Sequence, residues 1–180
     1  MPTAVLHILV PLVLIALFRD FILAKKKKQF FPLHYVLIAG IAGLLPDIDI
    51  IAFYILHFFG FSISEVHRTF THSIFLPIIF IILFYAFTKI KLSGLGRHKL
   101  TLSMIFLMLA VGSTAHVILD ATLSGSASLF YPFSTKLFGF DIISFLPSAL
   151  RSLAIPTLEG VLLVFWLIYL ELKHKISDFI

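Results

Sequence analysis

The sequence has no cysteine, one tryptophan and three methionines in 180 residues, and only 13% of its side chains are charged. Without thiols there is no disulfide framework and no thiolate metal site. Sparse charge beside 60% apolar residues and a mean hydropathy of +1.09 excludes a soluble enzyme, a disordered tail and a nucleic-acid-binding domain. Soluble domains are about 25% charged, and a chain this short buries only about 70% of its surface on folding. The solvent must be largely lipid. No Lys or Arg precedes the first apolar run, which reads as a retained anchor rather than a cleavable signal. At about 20 residues per span, one integral membrane domain over 1–180 has room for four to six crossings.

Apolar runs cover Pro2–Leu23, Leu33–Phe61, Ser73–Ile90, Leu100–Leu123 and Thr157–Leu172, the second broken at Pro46–Asp49. They predict an all-α, polytopic membrane helix bundle of about five transmembrane helices. Ser124–Pro156, rich in Phe and Pro and holding Gly125 and Gly139, is expected as a re-entrant or interfacial segment. Residues 50–61 fit either a span or a re-entrant stretch. Placing Lys25–Lys28 in the cytoplasm puts ten of the 14 Lys and Arg on that side. The positive-inside rule then sets the N-terminus outside, with the polar residues described next toward the extracytoplasmic face.

In so apolar a chain the informative residues are the ionisable ones at membrane depth, each costing a few kcal/mol there. They are His7, Arg19, Asp20, Asp47, Asp49, His57, His116 and Asp120. His116 and Asp120 are four apart and face the same way on a helix, either as ligands or as a pair joining helices. Asp47 and Asp49 follow Pro46, which suggests a broken span lining a polar cavity, the alternative being a solvated surface loop. In His67-Arg68-Thr69-Phe70-Thr71-His72-Ser73, the two histidines share a ligand only if a turn intervenes. Thr69 and Thr71 are expected as N-caps of the third span, with His72 in its first turn. Arg68 suits a phosphate. His7 alone reads as a packing residue, His34, His98 and His174 as solvated, and His57 is undecided.

Four His and three Asp without Cys form a ligand set suited to Zn, with Mn, Fe or Mg as alternatives. Seven ligands exceed one tetrahedral site, so two ions bridged by an Asp are plausible, and such a centre supplies an activated water for hydrolysis.

"LHILV" at His7, "GLLPDID" at Gly43–Asp49, "HRTFTHS" at His67–Ser73, "HVILDATLSG" at His116–Gly125 and "YPFS" at Tyr131–Ser134 occur in this order. Together they resemble the YdjM family of membrane-bound metal-dependent hydrolases, described as LexA-binding and inner membrane-associated. The resemblance covers roughly the first three-quarters of the chain. It implies a divalent-metal site on His7, Asp47, Asp49, His67, His72, His116 and Asp120.

From these residues the expected function is an integral membrane hydrolase acting on a phosphate ester or lipid-linked substrate, with membrane lipids as partners and no nucleic acid. Arg68 would stabilise the anion and Asp49 would serve as general base. The alternatives are a metal-ion or proton-coupled transporter and a non-catalytic scaffold clamped by metal. The Arg-containing and PSGH elements of PAP2-type lipid phosphatases, and the HxxHH boxes of di-iron desaturases, are missing.

Overall fold

The computed structural model describes residues 2–23, 31–90, 100–123 and 127–175. Helix α1 (Ala4–Leu17) continues into a π-helical turn, Phe18–Ile22. Helix α2 (Leu33–Ala42) is followed by a 3-10 turn at Pro46–Ile48 and by α3 (Asp49–Leu56). Short α4 (Ile63–Val66) and a 3-10 turn at Phe70–His72 lead to α5 (Phe75–Thr88). Helix α6 (Leu102–Leu123), a 3-10 turn at Ile142–Phe145 and α7 (Ser148–His174) complete the order. No strand occurs among the described residues; Ala127 and Phe138 form an isolated bridge. The basic residues Lys25–Lys28, Lys91, Arg97 and Lys99 lie outside the described residues.

Among the described residues three helices are long and apolar enough to cross a membrane: α1 with its π turn, α6 and α7. Helices α2 and α3 pass the same test only as a pair, bent by 50° at their break. Helix α5 has 14 residues. At 1.5 Å per residue that is about 21 Å, short of the roughly 30 Å hydrocarbon core. The five apolar runs thus each appear as a helix or a bent pair. One boundary moves: α7 begins at Ser148 rather than near Thr157, and Pro156 lies inside it. A proline does not end a helix in an apolar medium, because the freed backbone groups find partners nearby and no water competes for them. The irregular segment shrinks to 127–147 accordingly.

Lipid tails are as apolar as leucine, so helices associate through close packing rather than through exclusion of water. Helix α6 is the centre, packed on α5, α2 and α1. Gly112 lets it close on α2: a Cβ there would fall 2.5 Å from both the Ala39 carbonyl oxygen and the Ala42 Cβ. Leu12, Val13, Ala16, Tyr35, Val36, Ala39, Met108 and Tyr169 fill the core beside it. The start of α2 is tied to the start of α6, where the Thr101 amide donates to the Tyr35 hydroxyl at 2.8 Å. At the opposite end of the bundle meet the beginning of α1, the break after α2, the turn before α5 and the last turns of α6.

Gly112→Ala should therefore lower the thermal midpoint in detergent, by an overpacking cost of about 1–3 kcal/mol. A Cβ added at Gly160 on α7 would meet nothing within 4 Å. Gly160→Ala should leave the midpoint unchanged or raise it, since alanine is the better helix former by about 1 kcal/mol.

Candidate metal centre

The end of α2 sets up the site. With the helix finished at Ala42, the Gly43 carbonyl has no helical donor and accepts His116 Nδ1–H at 2.7 Å. A carbonyl only accepts, so Nδ1 carries the proton and Nε2 keeps a lone pair. Gly43 is glycine for a steric reason: a Cβ would sit 1.9 Å from the His7 carbonyl oxygen of α1. Pro46 then opens the 3-10 turn that presents Asp47, and Asp49 begins α3.

The stretch between α4 and α5 wraps around Asp49. Its carboxylate accepts from His67 Nδ1 at 2.9 Å, the Arg68 amide at 3.1 Å and the Thr71 hydroxyl at 2.8 Å, with His72 Nδ1 at 3.2 Å. Four donors match the roughly four lone-pair positions of a carboxylate. The contacts hold Arg68 at φ 63°, a left-handed conformation costly for a side chain of this size. The turn needed between His67 and His72 is therefore present, and it brings their rings edge to face at 4.9 Å.

The capping expectation is corrected here. His72 lies in the 3-10 turn before α5, not in its first helical turn. Thr71 is drawn away to Asp49, a buried acid that competes better for a hydroxyl than a helix amide does, and Thr69 bonds the Val66 carbonyl.

Four atoms close a ring. Asp47 Oδ1 lies 3.3 Å from His72 Nε2 and 3.6 Å from His116 Nε2, while Asp120 Oδ2 lies 3.7 Å from His72 Nε2 and 3.6 Å from His116 Nε2. Among the described residues both histidine nitrogens are buried without a hydrogen-bond partner. Asp49 sits outside this ring, on the far nitrogen of His72. His7 stacks on His116 with centroids 3.7 Å apart and points Nε2 at Asp120 Oδ1, 3.5 Å away. Arg68 reaches Asp120 with a terminal nitrogen at 3.7 Å. The cluster is closed on the α6 side, where the His116 and Asp120 side chains are 0% and 4% exposed. It is open where Asp47 (26%), Arg68 (19%) and His67 (14%) line it.

The residues fit a metal ion. Ligands about 2.0–2.2 Å from a tetrahedral ion stand about 3.3–3.6 Å from one another, close to the 3.3–3.7 Å between neighbouring atoms of the ring. Two imidazole lone pairs facing two carboxylates repel unless a cation stands between them. The histidines are fixed through their other nitrogens, on Gly43 and Asp49, the arrangement that prepares imidazole for coordination. The triads His72–His116–Asp120, His7–Asp47–His116 and Asp47–His67–His72 each bring three potential ligand atoms within 4.8 Å of one another.

The profile of the YdjM inner membrane protein family matches residues 1–176. The chain belongs to this family. No curated protein and no solved structure matches it. Family membership and the apolar helices together make it a membrane protein.

Other polar residues lie apart from this centre. His57 is exposed and 3.4 Å from the Phe61 carbonyl. At the opposite end Asp20 contacts Arg19 Nη1 at 2.5 Å, His174 Nε2 at 3.3 Å and the Tyr169 hydroxyl. His174 is thus not solvated as expected but half-buried, because α7 runs parallel to α1 and lays its last turn on the π-helical turn. His34 is exposed, and His98 lies outside the described residues. Sequence reasoning misses Glu159, an acid inside the apolar α7, which accepts from the Thr3 hydroxyl near the start of α1. The signal is the one applied elsewhere: an ionisable residue within an apolar run.

His116→Ala and Asp120→Ala should each abolish bound metal measured by inductively coupled plasma mass spectrometry on folded, detergent-purified protein. Asp49→Asn, altering a residue that orients His72, should weaken affinity by about 10–100-fold without abolishing it.

Proposed function

We propose that this YdjM-family protein is an integral membrane metal-dependent hydrolase acting on a phosphate ester carried by a lipid or lipid-linked substrate. The supporting observation is the ring of Asp47, His72, His116 and Asp120, buried except at Asp47, with Arg68 at its open edge. These four side chains would hold the ion, and the nitrogen–oxygen donor set without thiolate favours Zn. Asp47 and His72 also belong to the triad with His67. A second ion, where held, would share Asp47 as bridge.

A bound ion of this kind lowers the pKa of a coordinated water and polarises a phosphoryl oxygen. The chain's own residues supply the rest. Asp49 keeps the His72 Nδ1 proton in place and so aims Nε2 into the ring. His7, packed flat on His116, holds that imidazole from the other side. Arg68, strained into position by the Asp49 contact, presents its guanidinium where the non-bridging oxygens of a phosphate would lie. The apolar surroundings exclude bulk water and strengthen each of these interactions. A lipid is favoured as substrate because the open side of the centre belongs to a bundle bathed in lipid. Asp49 acts here by orienting its neighbours, since its lone pairs already receive four donors.

The basic residues support an orientation. Lys89 and Lys175 directly follow α5 and α7, and Lys173 lies in the last turn of α7, all away from the centre. With that basic end in the cytoplasm, the N-terminus and the metal centre would face the extracytoplasmic side.

Purified protein in detergent should release phosphate from phosphomonoester or phospholipid substrates in a metal-dependent manner. Asp47→Ala and His72→Ala should abolish turnover. Arg68→Lys should keep the metal while lowering kcat/KM by about 10²-fold or more. Turnover that persists with both Asp47 and His72 replaced would overturn the hydrolase reading.

A further inference from the structure

A second feature lies at the opposite end of the bundle, independent of the metal centre. Helix α7 touches the rest of the bundle mainly along α1 and stands apart from α2. Between the three helices runs an apolar groove of about 240 Å3, walled by Leu12 of α1, by Leu33, Val36 and Leu37 of α2, and by Trp166 and Leu170 of α7. His34, in the first turn of α2, lines it as well. The groove is smaller than the roughly 300–1,000 Å3 of a small-molecule site, and a second helix about 10 Å across cannot enter it. It suits a stretch of one hydrocarbon chain.

What lies at its mouth is basic. Lys173 follows Trp166 by seven residues, about 20° away around α7, so it continues the groove face one turn beyond Leu170. Its ammonium is 4.9 Å from the centroid of the Phe21 ring, at the level where α1 ends. His174, adjacent, lies beside Asp20. The acids at this end are placed otherwise. Asp20 is engaged by Arg19, Tyr169 and His174. Glu171 projects about 140° around the helix from Trp166.

We propose that this groove binds one anionic glycerophospholipid of the surrounding leaflet, with an acyl chain between α2 and α7 and its phosphate at His34 and Lys173. Basic pockets between transmembrane helices recognise headgroups in this way, and Trp166 is a side chain suited to the interfacial end of such a site. The lipid completes the packing that α2 and α7 do not make with each other.

The test is native mass spectrometry of the delipidated full-length protein titrated with phosphatidylglycerol and with phosphatidylcholine of the same acyl chains. Phosphatidylglycerol should bind in preference. Lys173→Gln should weaken it about fivefold. Adding His34→Ala should reduce it to the phosphatidylcholine level, and Leu37→Trp, which fills the groove, should weaken both lipids. Lys136→Ala, at the metal end, should change nothing. A cooperative thermal transition in detergent confirms that each variant is folded, and Lys173→Gln alone carries the test where the double variant is not. Equal binding of the two lipids by the wild type would overturn the proposal, as would a preference that survives Lys173→Gln. A wild-type dimer that Leu37→Trp converts to monomer would also overturn it, making the groove an interface between copies of the chain.

Discussion

The bond from His116 Nδ1 to the Gly43 carbonyl is the joint on which the site depends. It exists because α2 stops one residue earlier, leaving a carbonyl with no helical partner inside an apolar bundle. That carbonyl needs a donor, and the imidazole of α6 supplies it. The same residue must be glycine, since the chain passes so near the His7 carbonyl that no side chain fits. One backbone position thus fixes the approach of α1 to α2, the tautomer of His116 and the direction of its remaining lone pair. Asp49 has the corresponding role for the turn before α5, gathering His67, the Arg68 amide, Thr71 and His72 onto one carboxylate.

Such a cluster is expensive for a membrane protein. A carboxylate or imidazolium at bilayer depth costs about 2.5–3.5 kcal/mol even by the lenient insertion scales. Two devices reduce that cost. The break at Gly43–Asp49 brings backbone and acids to a cavity lined by protein rather than by lipid, where irregular backbone is tolerated. And each buried acid faces histidines or arginine, so charge is shared across the cluster. Among the described residues, the two histidine nitrogens that face Asp47 and Asp120 have no hydrogen-bond partner, and a cation among these four side chains would relieve that arrangement.

Much of this can be read in the sequence, because cost is legible where pattern is not. An ionisable residue in an apolar run stands out at once, which is why His7, Asp47, His116 and Asp120 can be named before any geometry, and why five apolar runs yield the helical architecture. The failures share a cause. Local rules assign Thr71 and Thr69 to helix capping because they see only local acceptors. The acceptor that wins Thr71, Asp49, lies 22 residues away. Pro156 suggests an end to structure by a rule learned in water, where a broken helix finds solvent. His174 reads as solvated because its partner, Asp20, is brought to it by α7 lying parallel to α1, a tertiary fact with no trace in nearby residues.

That parallel packing has a consequence for α7. Few of its residues are buried; Ile155 and Tyr169 are the ones the helix hides fully. Its attachment to α1 is made through polar groups near both ends of the contact, Glu159 with Thr3 and the Tyr169 hydroxyl with Asp20 and the Ala16 carbonyl. Lipid favours this mode of attachment, because a hydrogen bond between helices does not compete with water while a leucine face gains little by leaving the tails. At this contact the end of α1 is the π-helical turn Phe18–Ile22. Asp20 on it is set against α7, while His7, about three turns earlier, faces α6. One helix therefore serves two polar centres at opposite ends of the bundle.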